Sequence, residues 1–313
     1  MANFLDNATF KQTLVDYTVG MYNEKKNSVA EFISPTVRVP AASGYFKYYN
    51  DKEAFQALDT SRGVGGQAKV VQFNAQDKSY NVKPQALDCP IDQLLFKDAD
   101  QTTAMITYES YLGELVSVAL TSHESLVFNV VSNAVTAESG LGSGWSTASG
   151  SSATVNPLSE IEKAYYEIAT NIGEFPNRIL FGPNAWRYVK HAYYSRGLYP
   201  MYANNDSEVK SFFSGMGQGA EIRVGIIGKG SNLGQSTRTI TNIAGANDIY
   251  IFYASNNPSR LDRSAFKTFQ MGRGLDNINQ YWSPERRSDV LALDWNIDVQ
   301  LTNPYAVKRI TCT

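Results

Sequence analysis

Side chains that carry chemistry are scarce in this chain of 313 residues. It has two histidines, His123 and His191, and two cysteines, Cys89 and Cys312. The histidines fall in separate predicted helices with no HExxH, paired-carboxylate or GxSxG spacing around them, so His123 reads as a packing or surface residue. The cysteines lie far apart without CxxC spacing, which excludes a disulfide framework and a zinc site and leaves two inert thiols. No apolar run reaches the ~20 residues that a membrane helix needs. The opening MANFLDNATF lacks the basic start and apolar core of a secretion signal, so the protein is expected to begin in a cytoplasm. The sequons at Asn7 and Asn205 then carry no meaning. Basic charge is also short. Net charge is −2, and Arg286-Arg287 and Lys308-Arg309 are modest pairs that read as solvated surface or intersubunit ion pairs. Gly228-Lys229-Gly230 fails as a phosphate loop because Gly230 stands where Ser or Thr is needed. Gly215-Met-Gly-Gln-Gly219 fails as a dinucleotide fingerprint because its third glycine is misplaced. An enzyme therefore lacks its constellation, and no cofactor or metal is implied.

What is abundant is pattern. The stretch from Asp98 to Glu138 repeats apolar residues three and four apart, at Met105, Tyr108, Leu112, Leu115, Ala119, Leu126, Val130 and Ala134. This spacing predicts one very long helix with a single apolar stripe. Asp98 and Gln101 can form a capping box, and a Gly, Ser and Thr tract from Ser139 to Thr154, a linker by composition, ends the run. The stripe does not keep coiled-coil spacing, so sheet and loop of the same chain should cover it. Nineteen tyrosines suit interfaces, since each pairs apolar area with a polar tip.

Residues 1–35 read as a partly helical arm ending at Ser34-Pro35, too short to fold by itself. From Thr36 to Pro90 the pattern is strand and turn. Val37–Pro40, Tyr45–Tyr49, Lys69–Phe73 and Tyr80–Lys83 are β-rich, Asp51 to Leu58 can make a helical turn or two, and Arg62-Gly63-Val64-Gly65-Gly66 is a bend. Together they predict an extended two-stranded excursion with a glycine tip, which needs a partner surface because an isolated ribbon is marginal in water. Asn156, Pro157 and Gly173 mark the start and stop of a second helix. A strand at Pro176–Phe181, a short helix at Asn184–His191 with Trp186, and strands at Glu221–Ile227 and Asp248–Tyr253 complete an α/β lobe. Ser264 to Gln270 is a further strand, and Ala306 to Thr311 a short last one. Asp289 to Leu301 alternates strictly: Leu291, Leu293, Trp295, Ile297, Val299 and Leu301 face one way, while Asp294, Asn296, Asp298 and Gln300 face the other. That strand should cover the long helix.

This order of elements resembles tailed-bacteriophage major capsid proteins of the Hong Kong 97 fold. Trp145, Pro157, Ile161, Ala164, Ile168, Gly173, Pro176-Asn177 and Ala185-Trp186 look like the start of the family's axial domain. Tyr250–Ala254, Tyr281, Pro284-Glu285, Ser288-Asp289 and Asn303–Ala306 look like its C-terminal part. The resemblance implies an α+β capsid fold with an N-terminal arm (1–35), an extended loop (36–90), a peripheral domain (91–154) with its spine helix at 98–138, an axial domain (155–262), peripheral-domain strands (263–303), and a C-terminal tail (304–313) returning to the axial domain. It further implies self-assembly into hexamers and pentamers that close an icosahedral shell around double-stranded DNA held without sequence recognition, in a virion capsid assembled in a bacterial cytoplasm. The arm begins close to Met1, which implies a separate scaffolding protein. A portal and a cement protein would be the other partners, with no membrane. The candidate assembly residues are those of the loop tip, Arg62, Gly63, Gly65, Gly66 and Lys69, and crosslinking through Lys69 is not expected. An encapsulin-like compartment is the alternative within the same fold, and an α/β enzyme using the lobe's loops comes last.

Overall fold

The computed structural model describes residues 16, 29–49, 60–68, 70, 76–92, 101–148, 155–195, 206–217, 219–230, 239–272, 274–275 and 278–313. Most of the expected arm, the helical turn at 51–58, nearly all of the strand at 69–73 and the capping box at Asp98 lie outside them.

One sheet forms a platform of five strands: β1 (Thr36–Val39), β4 (Lys83–Asp92), β10 (Phe266–Met271), β11 (Ile278–Ser283) and β12 (Ser288–Leu301). β12 is its axis, antiparallel to β4 over ten positions and to β11 and β10 in turn, while β1 runs parallel to β10. Residues 83–92, at the end of the expected excursion, are thus a platform strand, and the excursion leaves the platform at 43–81. Among the described residues β4 pairs only with β12, and it carries Pro84 and Pro90. Prolines fit an open edge because the missing N–H would have faced outward.

A second sheet of four strands makes a lobe, in the order β13 (Val307–Thr311), β9 (Asp248–Phe252), β5 (Arg178–Phe181) and β6 (Glu221–Val224). The chain's last strand thus returns to the lobe, antiparallel to β9. Helices α3 (Pro157–Ile172), α4 (Pro183–Ser195) and α5 (Asp206–Ser214) belong to this lobe. α3 starts and stops where its sequence says. Asn156 sits in extended backbone at the cap position without a side-chain capping bond, Pro157 follows, and Gly173 closes the helix at φ 72°. Two hairpins complete the chain: β2 (Ser43–Tyr48) with β3 (Gln76–Asn81), and β7 (Gly228–Gly230) with β8 (Ile240–Asn242).

Helix α2 (Gln101–Ala134) joins the two bodies and, at 34 residues, runs about 50 Å. Its buried face is not the single stripe that its spacing predicts. Tyr108, Leu112, Leu115, Val116 and Ala119 pack with Leu291, Leu293, Trp295 and Ile297 of β12, as expected of that strand. Val127, Phe128 and Val131 pack instead into the lobe core, whereas Ala134 is exposed. At 100° per residue the two sets sit roughly a third of a turn apart, because each half of the helix meets a different partner. By length and composition alone Ile106–Ala134 could cross a membrane, although no run of the sequence is purely apolar; here its apolar side chains fill two cores.

The tract at 139–148 is not a linker. Trp145 is buried, and the Glu160 carboxylate accepts from its Nε1 at 2.8 Å and from the Gly142 N–H at 2.7 Å. Gly142 at φ 86° lies so close to β13 that an added Cβ would stand 2.2 Å from the Thr311 carbonyl oxygen. The Thr313 N–H donates back to the Gly142 carbonyl at 2.9 Å, so the tract seats the C-terminus. A helix of four residues, α1 (Ala30–Ile33), plugs the lobe from the arm side: Phe32 and Ile33 are buried, and the Ala30 N–H donates to buried Glu124 on α2 at 2.9 Å.

Candidate functional site

The β2–β3 ribbon is two-faced. Alternation puts Phe46 and Tyr80 inward, where they join Val37, Val39, Val82 and Phe269 in a small core of their own. The Tyr80 ring stacks on Phe269 at 4.6 Å and Phe46 lies 5.2 Å from the same ring. Gly44 makes room for this, since a Cβ there would come within 2.5 Å of the Tyr80 hydroxyl. The opposite face carries Ser43, Tyr45 and Lys47, with Tyr45 72% exposed. Polar bonds hold the base. The Asn81 N–H donates to the Asp298 carboxylate on β12 at 2.8 Å, and the Tyr49 N–H to the Thr302 carbonyl at 3.0 Å. The ribbon is thus docked on the platform by one face and free on the other.

At the far end, Arg62, Gly63, Gly65 and Gly66 are exposed. The Gly66 N–H closes a turn on the Gly63 carbonyl at 3.0 Å, with Gly65 at φ 81° as the third residue of a type II turn requires. A Cβ added at Gly63 or Gly65 would meet no atom of the described chain within 4 Å, and Val64 projects fully into solvent. The structure therefore brings four of the five sequence-selected residues together at one exposed turn; Lys69 lies outside the described residues. The sequence reading missed the residues that aim the ribbon, Gly44, Phe46, Tyr80, Phe269 and Asp298. Inward and outward alternation along Ser43–Tyr48 was the available signal.

Elsewhere the described residues hold no group of three or more His, Cys, Asp or Glu that could bind a metal. His123 is pushed down to about 4 by burial, so it is neutral at physiological pH. Both cysteines are free, and burial pushes the Cys312 thiol up to about 12, which makes it a poor nucleophile. Tyr108 donates to Asp289 at 2.6 Å, bonding α2 to β12; burial raises the pKa of both groups. Arg286 and Arg287 are exposed at the turn between β11 and β12. The surface hollows are shallow stretches beside single helices, one along Lys163, Tyr166 and Thr170 of α3 and one along Arg187, His191 and Tyr194 of α4.

No protein-family profile matches the sequence, and no curated protein matches it. Solved structures do match in fold. A phage-related protein from Bordetella bronchiseptica RB50 superposes with a TM-score of 0.68 at 18% identity, covering 96% of each chain. The virus-like particle of Pyrococcus furiosus gives a TM-score of 0.55 at 14% identity, over 96% of this chain and 98% of the other. The mature capsid of bacteriophage PhiM1 gives 0.55 at 11% identity, over 92% and 87%. With its platform, lobe, joining helix and ribbon, and a likeness to these structures over nearly its whole length, this chain has the α+β Hong Kong 97-type capsid fold.

Proposed function

We propose that this chain is the shell subunit of a tailed bacteriophage, assembling into hexamers and pentamers that close around double-stranded DNA. The observation that carries the proposal is the likeness in fold to a capsid structure over nearly the whole chain, joined to a ribbon with one docked face and an exposed turn at 63–66. In this reading the lobe, about 155–262, is the axial domain around each capsomer centre. The platform and spine helix are the peripheral domain, and the stretch within 36–90 that leaves the platform is the extended loop. Arg62, Gly63, Gly65, Gly66 and Lys69 at or near the loop tip make the contact with a neighbouring copy. A separate scaffolding protein, a portal and a cement protein complete the particle, in a virion capsid built in a host cytoplasm, and the subunit works through interfaces with no catalytic site. DNA is enclosed by geometry and is not gripped, as a net charge of −2 suits.

The test is the particle size of the purified protein by sedimentation and negative-stain microscopy, with and without its genomic neighbours co-expressed. Closed shells tens of nanometres across, or discrete hexamers and pentamers, are expected; a persistent monomer under both conditions refutes the reading. A second reading keeps the fold and changes the contents, an encapsulin-like shell around protein cargo; the likeness to a virus-like particle fits either shell. Absorbance of purified particles separates the two, since packaged DNA dominates at 260 nm and protein cargo does not.

A further inference from the structure

Residues 259–264 carry the chain from the lobe toward the platform, and three other parts of the molecule are tied to them. From the ribbon, the Lys47 N–H donates to the Arg260 carbonyl at 3.3 Å, the Tyr49 hydroxyl donates to the Leu261 carbonyl, and the Arg263 guanidinium lies over the Tyr49 ring at 5.8 Å. From the lobe, Arg263 donates to the Ile172 carbonyl at the end of α3 at 3.3 Å and faces Glu174 at 3.8 Å. From the end of β12, the Thr302 hydroxyl donates to the Ser264 carbonyl and Asn303 Nδ2 to the Arg263 carbonyl at 3.3 Å.

What keeps this loop in one shape is polar. Leu261 is 69% exposed and contributes little packing. The Asp262 carboxylate accepts from the Ser259 N–H at 2.5 Å, from the Ser264 N–H at 2.9 Å and from the Ser264 hydroxyl. Beneath it stands Lys267 on β10, a lysine with 0% exposure. Its ammonium donates to the Asp262 carbonyl at 2.6 Å and lies 3.4 Å from the carboxylate. A buried ammonium is costly to desolvate and is kept only where its partners are fixed. β10 is held between β1 and β12, so Lys267 is a rigid post to which the loop is fastened.

We propose that Lys267 is a positioning residue: by clamping Asp262 it makes loop 259–264 a stiff coupling, so that the direction in which the ribbon leaves the platform and the orientation of the lobe are set together. The use of such a coupling, delivering the loop tip to a neighbour at a fixed angle, rests on the shell reading; the coupling itself is a property of one subunit.

The experiment is hydrogen exchange with mass spectrometry on soluble full-length subunits, comparing the native protein with Lys267→Met and Tyr49→Phe. Lys267→Met keeps most of the side chain's volume and removes the ammonium, while Tyr49→Phe cuts the tie from the ribbon side and leaves the post intact. Exchange over 43–49 should rise about tenfold or more in both variants, with β5 and β9 unchanged, a selective loosening that a merely structural residue would not give. Unchanged exchange over 43–49 in both variants overturns the proposal, as does a rise shared equally by β5 and β9. Should Lys267→Met fail to fold, Asp262→Asn, which removes the charge that Lys267 faces at 3.4 Å, is read in its place by the same criteria. Native protein that forms no shell would refute the proposed function and leave this result standing, because the exchange is read on single subunits.

Discussion

Glu160 is the group whose removal tests the account of the 139–148 tract. One of its oxygens, Oε2, accepts two hydrogen bonds, from the Gly142 N–H at 2.7 Å and from Trp145 Nε1 at 2.8 Å. A hydrogen bond to a charged group contributes about 1.5–3 kcal/mol net, and a buried donor left unpaired costs about 1–3 kcal/mol. Trp145 is only 1% exposed, so its indole N–H cannot turn to solvent, and Gly142 is buried against β13 as well. Glu160 also occupies the first turn of α3, where negative charge is favoured by about 0.3–1 kcal/mol. Glu160→Ala is therefore expected to destabilise the chain by about 2–4 kcal/mol, and Glu160→Gln, which keeps an acceptor, by roughly half as much. Urea unfolding followed by far-ultraviolet circular dichroism measures both. The C-terminus gives a second readout, because Thr313 is bonded to Gly142 and Ser146: carboxypeptidase should trim Glu160→Ala faster than the native protein. A Glu160→Ala protein within about 0.5 kcal/mol of the native one, with an equally resistant C-terminus, would refute the reasoning.

Phe269→Ala removes the ring on which Tyr80 and Phe46 rest; the unfolding free energy from urea titration should fall by about 3–5 kcal/mol, and tryptic cleavage within 43–81 should quicken. Arg309 donates to the Ser132 and Val135 carbonyls at the end of α2 and to Asp248 at 2.9 Å. Arg309→Met should cost about 2–4 kcal/mol in denaturant titration, with Arg309→Lys recovering only part because lysine lacks the planar fork. His123 has a folded pKa of about 4, below the ordinary 6.5, so the unfolded chain binds its proton first as pH falls. Its contribution is complete above pH 6.5 and is lost on descending toward pH 4, a change on the order of 3 kcal/mol in total. His123→Gln should flatten that part of the stability profile measured from pH 7 to pH 4, and an unchanged slope would place the titration elsewhere.

Regular elements with both ends written were legible from sequence. Pro157 and Gly173 bracket α3, and the alternation from Leu291 to Ile297 identifies the face that covers the spine helix. The spine's existence was equally plain, but its periodicity could not say that the partner changes halfway along, so the reading kept one stripe where Val127, Phe128 and Val131 turn to another core. Composition misled at 139–148, because Gly140, Gly142 and Gly144 hold fixed turns at φ 83°, 86° and 72°, and Gly142 lets the chain pass close to β13. Two elements left almost no mark: α5 buries only Val209 and Phe213, and β11 buries only Ile278, too few positions to set a period. The turn at 63–66 was marked by its glycines, whereas the base of the ribbon rests on Phe269 and Asp298, some two hundred residues away in the chain.

The prolines of β4 bear on what happens when many copies meet at once. If subunits gather as in the shell proposed above, every open strand edge competes as a nucleus for the wrong polymer, a sheet growing from chain to chain. Pro84 and Pro90 stand six residues apart, so both withhold an amide from the same side of the strand. A strand arriving there would find a donor ladder with two rungs missing. The platform's long edge is in this sense a poor template for a growing sheet, a kinetic filter against the wrong polymer.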